Sequence, residues 1–336
     1  MKWIEELPAE VVTLMRSGSI AEYATVSAAG MPIDTPVLYF PGDDVRSLDL
    51  ATGLSYPAKA ERARKNPKVG LLLEGRPDEP VISIAGMAAV RDSNLQANVL
   101  RYLSEASYTL PRNPDWTLAR QAVWYWARII VEIVPARILW WDNPKQMDSS
   151  PKRWDAPVGS IFPQSDPAPP GATSRPPKWE EKAWQVLSEQ ALARNVDGHL
   201  SVLDALGFPL PIRARSITQT ETGFLLDVAR GLPWELSGNA CLTFGGVETF
   251  LGSVTRQSGQ VEMTVERSLP IFPMTQDMSQ LWEPTPGTRE QLMRRLEEET
   301  RRRNLPVPVI PIDRPPPSEG YRRRMERMKA SVALGV

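Results

Sequence analysis

YATVSAAGMPIDTPVLYF, residues Tyr23–Phe40, reads as strand, turn and strand, and LSVLDALGFPLPIRARSI, residues Leu200–Ile217, repeats it. In each stretch a run suited to a pleated strand enters Ala-x-Gly-x-Pro and leaves as a second such run. Gly30 and Pro32 match Gly207 and Pro209. The correspondence continues in order. SLDLATGL (Ser47–Leu54) matches LLDVARGL (Leu225–Leu232), setting Asp49 against Asp227 and Gly53 against Gly231. VGLLLEG (Val69–Gly75) matches ACLTFGG (Ala240–Gly246), and IAGMAAV (Ile84–Val90) matches FLGSVTR (Phe250–Arg256), with Gly86 opposite Gly252. The copies lie 177 residues apart at Gly30, 178 at Gly53 and 171 at Gly75. Collinear matches at so steady an offset identify an internal duplication.

The drop in offset means that the second copy lacks seven residues between Gly231 and Gly246. In the first copy this interval is LSYPAKAERARKNPKVG, whose Pro57–Lys65 stretch predicts a short basic helix stopped before Asn66-Pro67. LPWELSGNACLTFG, in the second copy, is too short for the same turn and helix. Each copy is mainly β. Strands are predicted over 24–27, 35–40, 47–51, 69–73, 81–90 and 129–138, and short strands with glycine turns favour a barrel, which removes exposed sheet edges. Further helices are predicted over 8–17, 94–104, 114–128, 178–193 and 288–304, the last opened by a Thr288/Gln291 capping box.

Composition narrows the function. The 336 residues suit two domains. Lys and Arg number 39 against 40 Asp and Glu, so no chain-wide polyanion-binding role is expected. One cysteine, Cys241, and one histidine, His199, exclude an intramolecular disulfide and the usual zinc and haem-attachment spacings. With no signal-peptide core and no apolar run of spanning length, a soluble, cytoplasmic protein that does not contact membranes is expected. Of the 33 prolines, nine fall between Asp142 and Lys178, where they predict an extended, irregular connection. Trp154, Ile161 and Phe162 within it imply that part of this connection lies against a surface. The expected organisation is therefore a first barrel over 1–145, a linker over 146–178, a degenerate second barrel over 179–283 and a basic, Pro/Arg-rich tail over 284–336.

The order ATVSAAGMPIDTPV, LATGLSYPAKAERARKNPKVGLLLEG, ISIAGMAAVRDS and IIVEIVPARILWWDN resembles the pyridoxamine 5'-phosphate oxidase-like family of FMN-binding split barrels. The likeness is carried by Thr52, Ser55, Lys59 and Asn66-Pro67-Lys68-Val69. It covers 20–143 well and 193–273 as a degenerate copy. It implies a mainly β (α+β) chain of two tandem split β-barrels packed as an internal pseudo-dimer with flanking helices. It also implies an FMN phosphate held at Thr52, Ser55, Lys59 and Arg62, the isoalloxazine along Thr35, Pro36 and Val37, and a tryptophan, Trp140 or Trp141, against the cofactor. Trp141 is carried forward, since adjacent strand residues face opposite sides. The residue chemistry agrees: a compact dianion needs hydroxyls, backbone donors and fixed cations, and a helix start adds a favourable dipole. Ordinary turn residues and a solvated basic helix are the plain alternative. NPKQMDSSPKRW does not reproduce the vitamin B6 enzyme's substrate-phosphate arginine and histidine pattern, so that reaction is not expected.

The second copy has no lysine in place of Lys59, and Arg230 is its residual cation, so one FMN per chain is expected. His199 and Cys241 are read as structural and buried, and Trp124-Tyr125-Trp126 as packing. The segment from Arg289 to Lys329 holds 12 Lys/Arg against 7 Asp/Glu and is read as a solvated helix and a strap across the domain or a dimer partner, with an extended basic arm touching an anionic cofactor tail or nucleic acid the lesser reading. The expected activity is FMN-dependent oxidoreduction of a small aromatic or conjugated molecule, with NAD(P)H as a transient electron donor or the substrate itself supplying the electrons. A homodimer is compatible with it. An F420-dependent reductase, a haem-binding or haem-degrading protein using His199, and a non-catalytic flavin-binding protein are the alternatives.

Overall fold

Where β-branched and aromatic residues run between glycine and proline turns, the chain forms antiparallel strands, and the strands close on themselves twice. The computed structural model describes residues 3–42, 46–110, 114–174, 182–257, 259–271 and 278–333. In the first half, β1 (Ile20–Val26), β2 (Pro32–Pro41), β3 (Leu48–Gly53), β4 (Lys68–Glu74), β5 (Val81–Arg91) and β6 (Arg128–Trp141) lie in the order β3-β2-β1-β4-β5-β6. Pairing of β3 with the first half of β6 closes the barrel, and β7 (Lys152–Asp155) pairs with its second half. In the second half, β8 (Gly198–Leu203), β9 (Pro209–Gln219), β10 (Gly223–Val228), β11 (Gly238–Phe244), β12 (Glu248–Gln257) and β13 (Gln260–Ser268) form a closed barrel of the same order, β10-β9-β8-β11-β12-β13. The duplication read in the sequence is thus a duplication of topology.

Matched glycines do matched work. Gly30 (φ 72°) and Gly207 (φ 81°) both turn the first hairpin in the left-handed region that favours glycine. Gly86 and Gly252 both sit at a bulge, where the register shifts between Ala85 and Gly86 in one barrel and between Leu251 and Gly252 in the other. The barrels pack through β1, β2 and β4 of the first against β8, β9 and β11 of the second. The approach is closest at Gly70, where a Cβ would lie 1.6 Å from the Pro209 carbonyl oxygen.

Helices flank the pair: α1 (Ala9–Arg16), α2 (Ala58–Lys65), α3 (Leu95–Ala106), α4 (Trp116–Ala119), α5 (Val123–Trp126), α6 (Trp184–Ala193), α7 (Pro286–Arg302) and α8 (Glu319–Ala333). As expected, α2 lies between β3 and β4, and no helix lies between β10 and β11. Three expectations need correction. The helix expected over 114–128 is two single turns, α4 and α5, because Trp126 is fully buried with its Nε1–H donated to the Ala119 carbonyl, and Arg128 already belongs to β6. The Thr288/Gln291 box is displaced: Thr285 caps α7, accepting the Thr288 N–H, and Pro286 stands at its start, where its fixed φ suits the helix. The linker is less irregular than proline content suggested, since burying Trp154 draws Lys152–Asp155 into the sheet as β7, whereas Ile161 is exposed. As expected of the tail, part of it beyond α7 is helical, as α8. Residues 175–178 of the expected linker, 178–181 of the helix expected over 178–193, 179–181, 258 and 272–277 of the expected second barrel, and 334–336 of the tail lie outside the described residues.

The tail wraps the first barrel as a strap. Arg302 and Arg303 bond Glu61, Glu299 and Asp92, so these arginines are spent on internal ion pairs. Arg324, nearly buried, donates to the Gly18 carbonyl (2.7 Å) and the Glu105 carbonyl. Among the described residues, no helix is long and apolar enough to cross a membrane.

Candidate functional site

The strand β3 ends at Gly53 opposite Arg128, the first residue of β6. The chain then turns, with Leu54 N–H donated to the Ala127 carbonyl and Tyr56 N–H to the Gly53 carbonyl, and α2 begins. Pro57 precedes α2 and offers no side-chain acceptor, so the first-turn N–H groups have no side-chain cap. Ala60 and Ala63 seal the helix to the barrel, both fully buried. Lys59 is half-buried and Arg62 is its neighbour one turn on.

Three cations gather here. The Arg128 guanidinium lies 4.4 Å from the ring centres of both Tyr102 and Tyr125, and its buried Nε has no hydrogen-bond partner. A Cβ on Gly53 would sit 3.6 Å from Arg128 Nη1, placing that cation at the end of β3 beside Thr52. Arg62 donates Nε–H to the Thr25 hydroxyl at 2.7 Å. Lys59 makes no ion pair among the described residues. Burial, reinforced by the Arg62 and Arg128 charges, pushes its amine down to about 8. The Asp34 and Glu22 charges oppose this more weakly, and among the described residues no carboxylate pairs with the amine directly.

A fourth cation comes from far along the chain. Arg295 of α7 donates Nε–H to the Ser55 carbonyl at 2.7 Å and lies 4.5 Å from the Tyr56 ring centre. The Ser55 hydroxyl is turned to the Leu292 carbonyl, 3.5 Å away. Thr52, Ser55, Lys59 and Arg62 are therefore brought together, with Arg128 and Arg295 added. Neither arginine carries a local signal: one begins a strand and the other lies 240 residues from Ser55.

The remaining expected residues fall elsewhere. Val37 turns its side chain into the core of the first barrel. Thr35 and Pro36 meet the β11–β12 turn, where a Cβ on Gly246 would lie 2.5 Å from Pro36 Cδ and 3.5 Å from Thr35 Cγ2. Trp140 and Trp141 do face opposite ways: Trp140 joins the first core, and Trp141 packs with the second barrel, donating Nε1–H to the Ser149 carbonyl at 2.8 Å. That carbonyl abuts Gly231, so Trp141 stands beside the second copy's counterpart of Gly53 and away from Lys59. Arg230 is exposed and donates its backbone N–H to Asp148.

Between the barrels lies a buried polar cluster that the sequence reading did not assemble. His199 of β8 places Nε2 3.0 Å from Glu74 and Nδ1 3.3 Å from Glu22. Ser201 donates its hydroxyl to Asp34 at 3.0 Å, and Arg213 Nε reaches Glu74 at 3.0 Å. Burial raises the Glu22 and Asp34 carboxyls, and the Asp34 and Glu74 charges add to this at Glu22. Although burial opposes it, the Glu74 bond and the Glu22 charge raise the His199 imidazole. Glu22 Oε2 and Asp34 Oδ1 have no partner, and a proton held between the two acids would satisfy both. His199 thus has a carboxylate near each ring nitrogen, hydrogen-bonded at Nε2 and only close by at Nδ1, an arrangement of ion pairing across an interface. Cys241 is fully buried among these groups, and burial pushes its thiol up.

No protein-family model and no curated protein matches this chain. Solved structures of similar shape include the General Stress Protein 26 of Bacillus anthracis str. Sterne, at 21% identity and TM-score 0.31, covering 46% of this chain and 100% of its own. The conserved hypothetical protein Rv2991 of Mycobacterium tuberculosis is 21% identical, with TM-score 0.33, over 47% of this chain and 93% of its own. A pyridoxamine 5'-phosphate oxidase-related, FMN binding protein of Nostoc punctiforme PCC 73102 is 16% identical, with TM-score 0.29, over 39% and 81%. By strand order and closure, the chain has in tandem the split-barrel fold expected from its resemblance to the pyridoxamine 5'-phosphate oxidase-like proteins.

Proposed function

We propose that the chain holds one FMN at the α2 turn and acts as an FMN-dependent oxidoreductase on a small aromatic or conjugated molecule. The observation that carries this reading is the niche at Lys59, where Lys59, Arg62 and Arg128 converge without a directly paired carboxylate beside uncapped helix N–H groups. A phosphate dianion fits that donor set: Lys59 and Arg128 supply charge, the Thr52 hydroxyl and first-turn N–H groups supply hydrogen bonds, and Arg295 closes the turn. Arg62, directed to Thr25 and towards the second barrel, would face the polar edge of the ring system. When bound, the flavin supplies hydride transfer, and the chain's own task is to hold, orient and shield it. The second copy has neither the helix nor the lysine, which supports a stoichiometry of one.

The test is an absorption spectrum and mass identification of the cofactor bound to the full chain, followed by titration of Lys59→Ala. We expect about one FMN per chain and an affinity lowered roughly ten- to a hundredfold in the variant, the worth of one charged contact. Because the free amine titrates near about 8, affinity should also fall as pH rises through that value. Two FMN per chain, F420 in place of FMN, or an unaltered Lys59→Ala affinity would overturn the reading. So would tight binding with no turnover by NAD(P)H or any conjugated substrate.

A further inference from the structure

The strap formed by the tail does more than cover the first barrel. Arg324, Arg327 and Met328, spaced to share one face of α8, line a cavity of about 410 Å³. Its other walls are the start of β1, the outward face of β2, the end of α3 and the single turn α5. The apolar surface comes from Ile20 and Leu38, which are cross-strand partners, and from Ala106 and Met328. Ile20 and Met328 are its solvent-open members, 58% and 51% exposed. Tyr102 and Tyr125 supply an aromatic wall that is already fixed. Arg128 stacks on both rings at 4.4 Å, and Tyr125 meets Trp126 and Trp282 edge-on, with ring centres 4.9 and 5.0 Å apart.

The charges of this lining are spent within the protein. Arg324 donates to the Gly18 and Glu105 carbonyls, with the Glu105 carboxylate 3.7 Å away, and Arg327 pairs with Glu79. The Tyr102 and Tyr125 hydroxyls lie 3.5 Å apart and serve each other. Among the described residues of the lining there is no acid, and no buried polar side-chain atom lacks a partner. The volume falls within the range of about 300–1,000 Å³ usual for small-molecule sites. Such a cavity rewards apolar contact and offers nothing to offset the desolvation of a charge. Fixed tyrosine rings favour a flat partner, because aromatic groups pair in offset or edge-to-face geometry. We propose that this cavity binds a small neutral aromatic molecule of one or two rings, held against Tyr102 and Tyr125 and covered by Ile20, Leu38 and Met328. Its lining shares no residue with the α2 niche, and the proposal does not rest on FMN binding there.

The experiment is calorimetric titration of the full chain with neutral 1-naphthalenemethanol and with its charged counterparts, 1-naphthoate and 1-naphthylmethylammonium. One saturable site per chain is expected for the alcohol, about tenfold or more tighter than for either ion. Amide hydrogen exchange of the wild-type chain saturated with the alcohol should slow in α8 and at the end of α3. Ala106→Phe, which fills the cavity from α3, should weaken binding about tenfold or more. Should that variant fail to fold, the exchange map of the wild-type chain still decides. Absence of saturable binding, an ion bound as tightly as the alcohol, unchanged exchange in α8, wild-type affinity in folded Ala106→Phe, or displacement by FMN would each overturn the proposal.

Discussion

The interval between the third and fourth strands of each barrel presents one topological problem with two solutions. In the first barrel α2 covers the opening, with Ala60 and Ala63 inward and Lys59 and Arg62 left beside Arg128. In the second, an extended segment covers it with alternate residues: Leu232, Trp234 and Leu236 are buried, while Pro233, Glu235 and Ser237 are exposed. Either solution seals the core, so the barrel does not require the helix. What the seven extra residues add is charge in a defined place, and what their loss leaves is a cleft lined by Leu139, Leu206 and Pro233 together with Arg137, Asp204 and Glu235. The scaffold is duplicated and the sites are not.

The comparison can be broken most severely where the barrels meet. Gly70→Ala sets a methyl 1.6 Å from the Pro209 carbonyl oxygen and 2.8 Å from its carbon, backbone on both sides, so the two halves must separate. A loss of about 3 kcal/mol in urea unfolding is expected, and a loss under about 0.5 kcal/mol would show that the halves do not approach there.

The paired bulges sharpen it. At Gly252 a Cβ would meet the Thr264 carbonyl oxygen at 1.9 Å, whereas at Gly86 it would meet the Ile133 Cγ2 methyl at 2.4 Å. Backbone cannot move aside as a methyl can. Gly252→Ala should therefore cost about 2–3 kcal/mol and Gly86→Ala about 1 kcal/mol, read from their unfolding midpoints. The reverse order would mean that the second barrel is the more yielding of the two.

The smallest effect concerns the buried acids that join the halves. A carboxyl raised in the fold favours its protonated form, so its contribution is complete below its ordinary value of 4.5 and is lost as pH rises through the raised one. His199, also raised, acts in the same direction, losing its contribution as pH rises. Asp34 is raised too, while Glu74 is held low by His199 and Arg213 despite its burial. Tm should fall between about pH 4.5 and about pH 8, and Glu22→Gln should flatten that fall. Parallel curves would remove Glu22 from the account.

How much of this was legible depended on range. Gly30 and Gly207, Gly86 and Gly252, and the missing seven residues are local signals, and the two barrels, their turns, their bulges and the single helix follow from them. Thr52, Lys59 and Arg62 were also legible, because a strand end and one helical turn bring them together within a dozen residues. The surroundings of Trp141 were not legible for a related reason: period two says that it and Trp140 diverge, but not that its face packs with the other barrel. Arg128 and Arg295 gave no sign, since nothing in their own neighbourhoods distinguishes them from surface arginines.

By itself the sequence determined the elements and their repetition, because turn geometry, hydrophobic period and helix punctuation act over a few residues. The tertiary structure alone decided which charges meet. The Glu22–Asp34–His199 cluster joins strands of different barrels, and the cations around Lys59 come from α2, the start of β6 and, in Arg295, a helix near the end of the chain. Their proximity is set by how two closed sheets pack, and packing is a sum over surfaces that no single stretch of the chain contains.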